Sequence, residues 1–389
     1  MIRLIKRFTA TFIVISILLS LCIKANAVEF SISAKSAILI NASTNEIVYE
    51  KNAYEQRGMA STTKIMTAIL AIERANLQKT VVARNEEVRI EGTSIGLKAG
   101  DKITLETLVC GMLLESGNDA ANVTARVIGK SREKFVSLMN QKAKEIGMEN
   151  TCFKNPSGLT EDGHFSTAFD MALLGSYAIK NKQFRDICSL STLRVVYGNP
   201  QYQRTFKNHN KLLNSVEGAF GIKTGFTKAS GRCLVSAAER NGVTLIAVTL
   251  SAPDDWNDHK KLFEYGFEKV KVYENDFNAE EIRLDVVGSD NKRIGVKLKN
   301  KLIYTALDEE VNPQIVVLCE KFLYSEVKIG DRVGCVKVYS DDEKLLCESD
   351  LISTENASMN FLEKEKKPSI LDKIKDLFNK TDRKNYGSR

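Results

Sequence analysis

The chain has 389 residues, enough for two domains of ordinary size and a tail. Its 43% hydrophobic and 27% charged residues exclude both a disordered chain and a polytopic membrane protein. The net charge of +7 would suit an anionic partner, but part of the excess sits at the two ends. With no recognition motif or basic-aromatic array beside it, nucleic acid is not expected as a partner.

Arg3, Lys6 and Arg7 precede an apolar run from Phe8 to Ile23 and an Ala25-Asn26-Ala27 cleavage site. Residues 1–27 therefore read as a signal peptide, with an uncleaved N-terminal anchor as the alternative; either implies export. Seven cysteines follow Cys22, without a Cys-x-x-Cys spacing and mostly in apolar contexts, so they read mainly as buried small hydrophobes. His164, His209 and His259 show no metal-ligand spacing, and neither a metal nor another cofactor is expected.

Ser36–Ile40 and Glu46–Glu50 are strand-like and joined by a turn, which predicts a hairpin. Ile65, Ala68, Ile69 and Ile72 recur at helical spacing behind Ala60-Ser61-Thr62-Thr63-Lys64, predicting a buried helix that starts near Ser61. Further helices are predicted from Thr104 to Leu114, from Asn118 or Asp119 onward, from Arg132 to Ile146 and from Thr167 to Ile179. A less regular stretch reaches Asn214. Three strands then follow: Ala219–Thr227, Arg232–Glu239 and Val243–Ser251, the last two joined by the hairpin signal Asn241-Gly242. A closing helix carries Leu262, Phe263, Gly266, Phe267 and Val270, with Trp256 read as core. Early strands, central helices and late strands imply an α/β (α+β) domain over residues 28–275, with a mainly antiparallel sheet flanked by helices. Residues 276–355 hold only short strand-like runs, a small all-β domain. Residues 356–389 form a charged spacer and an amphipathic tail whose Ile370, Leu371, Ile374, Leu377 and Phe378 stripe would lie on a membrane surface.

A serine and a lysine three apart on one helix face make a possible nucleophile and base. The pattern alone is weak, since Ser131/Lys134, Ser289/Lys292 and Ser325/Lys328 share it. Acyl transfer also needs a proton carrier, an anchor for the substrate amide and a cationic edge. Ser116-Gly117-Asn118, in a bend between helices, could supply the first two. Lys223-Thr224-Gly225, found once and on a strand, could supply the third. The ordered trio, each member in a fitting context, is the strong signal; Ser289-Asp290-Asn291-Lys292 satisfies two patterns but lies in a turn of the all-β domain.

From Ser36 to Phe267 the chain resembles the serine D-alanyl-D-alanine carboxypeptidases of peptidase family S11, the low-molecular-mass penicillin-binding proteins. The resemblance rests on Ala-Ser-Thr-Thr-Lys-Ile-Met-Thr, Glu-Ser-Gly-Asn-Asp-Ala-Ala, Phe-Lys-Asn-Pro-Ser-Gly-Leu with Thr-Ala-Phe-Asp-Met-Ala, and Gly-Ile-Lys-Thr-Gly-Phe-Thr. It implies that Ser61 is the acyl-ester nucleophile, neutral Lys64 its base, and Ser116, linked to Lys223, a proton relay. Asn118 would hold the peptide amide and help orient Lys64. Lys223 and Thr224 would meet the substrate carboxylate beside Gly225, and the N–H groups of Ser61 and Phe226 would form the oxyanion hole. The implied substrate is a peptidoglycan stem peptide ending in D-Ala-D-Ala, with β-lactams as covalent inhibitors, at the outer face of the bacterial cytoplasmic membrane and cell wall.

Two departures stand out. Phe226 occupies a position where some relatives have His, and Ala252–Asn257 lacks an Arg that in some relatives helps bind the carboxylate; Lys228 or Arg232 could stand in. A serine β-lactamase shares the trio but needs a deacylating base, for which Glu161-Asp162 is a poor candidate. The same trio would also serve a DD-endopeptidase, and a non-catalytic peptidoglycan-binding protein could retain it.

Overall fold

The computed structural model describes residues 30–307 and 312–359. The signal-peptide reading of residues 1–27, and the amphipathic part of the tail, lie outside these residues. The chain divides into two compact units between Lys269 and Val270.

The first unit runs, in chain order, β1 (Ser36–Asn41), β2 (Ile47–Lys51), a 3₁₀ turn (Ala60–Thr63), α1 (Lys64–Arg74), β3 (Thr80–Val82), α2 (Asn85–Val88) and β4 (Lys102–Thr104). Then come α3 (Leu105–Leu114), α4 (Asn118–Gly129), α5 (Arg132–Glu145), α6 (Ala168–Ile179), α7 (Lys182–Ser189), β5 (Thr192–Gly198) and β6 (Gln201–Lys207). The unit closes with β7 (Ala219–Thr227), β8 (Gly231–Arg240), β9 (Val243–Leu250) and α8 (Asp255–Lys269). Side-chain caps set several helix starts: Thr104, Ser131, Thr167 and Asn181 each accept a backbone N–H from the first turn of the helix that follows.

Five strands form one antiparallel sheet in the order β2-β1-β9-β8-β7, so the first hairpin joins strands from the end of the unit. Asn241 and Gly242 both take positive φ between the paired Arg240 and Val243, the two-residue turn their identities predict. Alternation along the strands divides the core. Ile246 and Val235 face α6, where a Cβ on Gly175 would lie 3.3 and 3.2 Å from them; Leu39 and Leu245 face α8, where a Cβ on Gly266 would come within 2.4 and 2.7 Å. The expected α+β sheet flanked by helices is what forms.

The sequence reading missed α7 and the β5–β6 hairpin. Thr192, Arg194, Gln201, Gln203 and Thr205 put polar residues on one face of that hairpin, while Tyr197 and Phe206 are buried. Such short, polar-rich strands leave little apolar periodicity to read.

The second unit is all-β apart from one 3₁₀ turn among the described residues: β10 (Val270–Asn275), β11 (Arg283–Val287), β12 (Arg293–Leu298), β13 (Leu302–Leu307), β14 (Gln314–Cys319), β15 (Phe322–Tyr324), β16 (Arg332–Tyr339) and β17 (Leu345–Ser353). Six of these form a sheet in the order β14-β16-β17-β12-β11-β15, and β10 pairs with β13. Its core holds Leu284, Ile294, Val296, Val336, Val338 and Leu351. No helix among the described residues is long and apolar enough to cross a membrane.

Candidate active site

The 3₁₀ turn before α1 carries Ser61. Thr62 and Thr63 turn their hydroxyls back onto the carbonyls of Met59 and Ala60, at 2.6 and 2.8 Å, and Ala60 takes a φ of +47°. Neither Met59 before the turn nor Thr63 before α1 provides a side-chain cap. Ser61 is partly exposed, whereas Lys64, the first residue of α1, is fully buried. The Lys64 Nζ donates to Ser61 Oγ at 2.8 Å and to the Ser157 carbonyl at 2.6 Å. Burial, reinforced by the nearby Lys223 and opposed by Asp119, holds the Lys64 amine well below the ordinary lysine range.

The Asn155-Pro156-Ser157-Gly158 loop makes this geometry possible. Asn155 Oδ1 accepts from the N–H groups of Ser157 and Gly158, at 3.2 and 2.7 Å, and Thr67 Oγ1 donates to the Pro156 carbonyl at 2.7 Å. Gly158 has a φ of +87°, and a Cβ there would fall 1.9 Å from the Ala60 carbonyl oxygen. His164 braces the same turn. Its Nδ1 accepts from the Lys154 N–H and its Nε2 meets Thr63 Oγ1, both at 2.9 Å, and burial pushes its pKa down to about 4.

The second motif lies in the bend between α3 and α4. Ser116 is buried with a φ of +61°, and its carbonyl accepts from Thr93 Oγ1 at 2.6 Å. Asn118 Nδ2 donates to the Glu91 carbonyl at 2.8 Å, while its buried Oδ1 has no partner. Asp119, fully buried, accepts from the N–H groups of Ile95 and Leu97 at 3.0 Å each and pins the loop across this bend.

The third motif lies on β7, an edge strand of the sheet. Lys223 and Gly225 face the Ser61 turn: a Cβ on Gly225 would stand 3.0 Å from the Ser61 nitrogen, so any larger residue would press the strand against the turn. Lys223 is buried, donates to the Thr224 carbonyl at 2.8 Å, and is brought down by burial to a pKa of about 7. Ser61, Ser116, Asn118, Thr224, Gly225 and Phe226 line one cleft of about 540 Å³, with Lys64 and Lys223 buried beside it.

A family model for D-alanyl-D-alanine carboxypeptidases, peptidase family S11, matches residues 23–254. The chain belongs to this family. It is 35% identical over 260 residues to the D-alanyl-D-alanine carboxypeptidase DacF of Bacillus subtilis, covering 63% of this chain and 65% of that protein, just under two thirds of its length. To a D-alanyl-D-alanine carboxypeptidase of Streptomyces it is 33% identical over 256 residues, 61% of this chain and 88% of that one. The crystal structure of the Streptomyces K15 DD-transpeptidase superposes with a TM-score of 0.59 at 32% identity, covering 61% of this chain and 98% of that one. The fold likeness reaches further in a D-alanyl-D-alanine carboxypeptidase DacD from Francisella tularensis, at a TM-score of 0.61 and 24% identity over 85% of this chain and 95% of that one.

Within this S11 site the hydrogen bonds differ from those the resemblance implied. Among the described bonds, none joins Ser116 to Lys223 or Asn118 to Lys64; the second partner of Lys64 is the Ser157 carbonyl. Trp256 is no core residue: it is partly exposed on the cleft wall beside Arg232. Lys228 does not line the cleft, whereas Arg232, His209 and Lys211 do. His259 is structural, buried between the hydroxyls of Ser236 and Thr249, with its pKa pushed down to about 3. Ser157 and Asp119 were missed as site residues because one acts through a carbonyl and the other through loop N–H groups.

Proposed function

We propose that the protein is an exported serine D-alanyl-D-alanine carboxypeptidase that removes the terminal D-alanine from peptidoglycan stem peptides. The observation that carries this reading is the 2.8 Å contact between Ser61 Oγ and a lysine amine that burial disposes to be neutral. A neutral Lys64 takes the hydroxyl proton as Ser61 Oγ bonds to the carbonyl carbon between the two D-alanines. A base so placed is worth roughly 10²–10⁴-fold. The developing oxyanion is met by the N–H groups of Ser61 and Phe226, each such donor contributing about 10²–10³ in rate. The C–N bond then breaks, and the leaving D-alanine takes a proton through Ser116. The unpartnered Oδ1 of Asn118 is free to hold the peptide amide. Lys223, Thr224 and Gly225 bind the substrate's terminal end. Water then attacks the ester carbonyl and gives a proton to Lys64, which passes it to Ser61 Oγ as the C–O bond breaks, restoring the serine hydroxyl and the neutral amine. β-Lactams acylate Ser61 by the same first step.

The domain plan belongs to this reading: a signal over residues 1–27, the peptidase over 28–275, the small β domain over 276–355 and a surface-binding tail over 356–389. A β-lactamase reading finds no support at the cleft, where Asp255 is the sole carboxylate among the described lining residues and is already held by Arg232. An Escherichia coli D-alanyl-D-alanine endopeptidase is also similar, 32% identical over 57% of this chain.

Labelling with a fluorescent penicillin, together with D-alanine release from a D-Ala-D-Ala pentapeptide, tests the proposal. Wild type should do both and Ser61→Ala neither; equal labelling of the two would remove Ser61 as nucleophile. Deleting the residues after Leu362 should move activity from membranes to the soluble fraction, and unchanged retention would remove the tail as anchor.

A further inference from the structure

The cleft needs a lasting positive charge for a substrate that ends in a carboxylate, and Lys223 is poorly suited to supply it alone. Its ammonium is buried and already bonded to the Thr224 carbonyl, and its pKa of about 7 leaves it partly neutral at physiological pH. Arg232 lines the same cleft from β8, directly opposite Phe226 in the β7–β8 register. Alternation puts Thr224, Phe226 and Arg232 on one face of the sheet, and Thr224 and Arg232 are diagonal neighbours within reach of a shared ligand. Arginine stays charged at any pH the protein meets.

The guanidinium is also held in place. Its Nε donates to Asp255 Oδ1 at 2.9 Å, and its plane lies near the Trp256 ring, 5.7 Å from the centroid. Asp255 is almost wholly buried and also accepts the Trp256 N–H at 3.0 Å, so the acid is fixed at the start of α8. Among the described hydrogen bonds the Arg232 side chain uses only Nε, and with 41% of that side chain exposed in a residue that lines the cleft, the terminal nitrogens are available to a ligand. Two parallel N–H groups in one plane form the fork that grips a carboxylate.

We propose that Arg232, oriented by Asp255 and Trp256, receives the C-terminal carboxylate of the peptide together with Thr224. This assignment rests on the peptidase reading above and names the group within that site that enforces a free C-terminus. Asp255 is a positioning residue, since it acts through Arg232.

The test compares kcat/KM for a tripeptide ending in D-Ala-D-Ala with that for the same tripeptide as its C-terminal amide. Wild type should prefer the free acid. In Arg232→Gln the acid-to-amide ratio should fall about 10- to 100-fold, the worth of a charge-assisted contact to a carboxylate. Arg232→Lys, which keeps the charge but loses the fork, should fall between, and Asp255→Asn should lower the ratio less than Arg232→Gln does. If Arg232→Gln fails to fold because Asp255 is left buried without its cation, the double variant Arg232→Gln/Asp255→Asn takes its place with the same expected collapse. A folded Arg232 variant that keeps the wild-type ratio, even with both rates reduced alike, overturns the assignment and leaves the peptidase reading intact. If wild type releases D-alanine from neither peptide, the peptidase reading falls and the assignment with it.

Discussion

Ser-x-x-Lys stands at the start of two helices in the first unit, and the backbone makes them different objects. Ser131 precedes α5 in an extended conformation, φ −147° and ψ 165°, and its Oγ accepts the Lys134 N–H at 3.2 Å. That oxygen completes the first helical turn, and Lys134 is exposed. Ser61 instead sits inside a 3₁₀ turn whose neighbouring threonines bond back to the chain, so its oxygen caps nothing. Lys64 is buried and turns its amine, not its backbone N–H, to the serine. On the proposed reading, reactivity at this spacing depends on what the backbone leaves unoccupied.

The largest expected effect tests the two lysines against each other. Lys64→Met should slow acylation by penicillin and D-alanine release by about 10²–10⁴-fold, the contribution of a positioned base. Lys134→Met should change neither by more than about twofold, and a comparable loss at both would erase the distinction. Next comes the loop that supports Lys64. Gly158→Ala combines a positive φ with a Cβ 1.9 Å from the Ala60 oxygen, a cost of about 2–5 kcal/mol measurable by urea denaturation. It should also slow acylation, because Ser157 is the other partner of the Lys64 amine. Full activity in that variant would mean that the loop does not hold the base.

Much of this was legible before any coordinates. Helical apolar patterning marked α3, α5 and α6, and Asn241-Gly242 marked the β8–β9 hairpin, because each is a local signal. The three motifs were readable from side chains that touch one cleft. What was not legible acts through the backbone or across long separations. The Ser157 carbonyl reaches Lys64 from 93 residues away, and Asp119 holds a loop more than 20 residues upstream through its N–H groups. Trp256 was misread because an aromatic next to a helical apolar pattern looks like core; only the fold sets it beside Arg232 at the cleft.

Burial of charge gives a smaller, pH-dependent effect that belongs to the Ser61 region. The folded-state pKa values of Lys64 and Lys223 are depressed, that of Lys223 to about 7 from 10.5. Between those values the unfolded chain binds more protons than the folded one, so stability rises with pH across that window and falls toward pH 7. Each lysine contributes at most about 1.4 kcal/mol per pH unit. Urea midpoints should therefore be higher at pH 9.5 than at pH 7.5, and Lys223→Met should flatten the slope. An unchanged slope in that variant would show that Lys223 keeps its proton when folded. Acylation should likewise rise with pH through the lowered pKa of Lys64, since only the neutral amine accepts the Ser61 proton.

The smallest effect gives the closest comparison of the two serines. Ser131→Ala removes a cap and should cost about 1 kcal/mol, with penicillin acylation unchanged. Ser131→Asp should recover that stability, because a carboxylate both caps the first turn and favours the positive end of the helix. Ser61→Ala should show the reciprocal pattern: labelling lost, with a stability change smaller than that of Ser131→Ala, since no backbone N–H among the described bonds depends on its hydroxyl. Urea denaturation of both alanine variants at one pH decides the matter. A matching loss of stability at Ser61 would mean that its hydroxyl also holds the helix start, and the contrast between a capping serine and a reacting one would no longer stand.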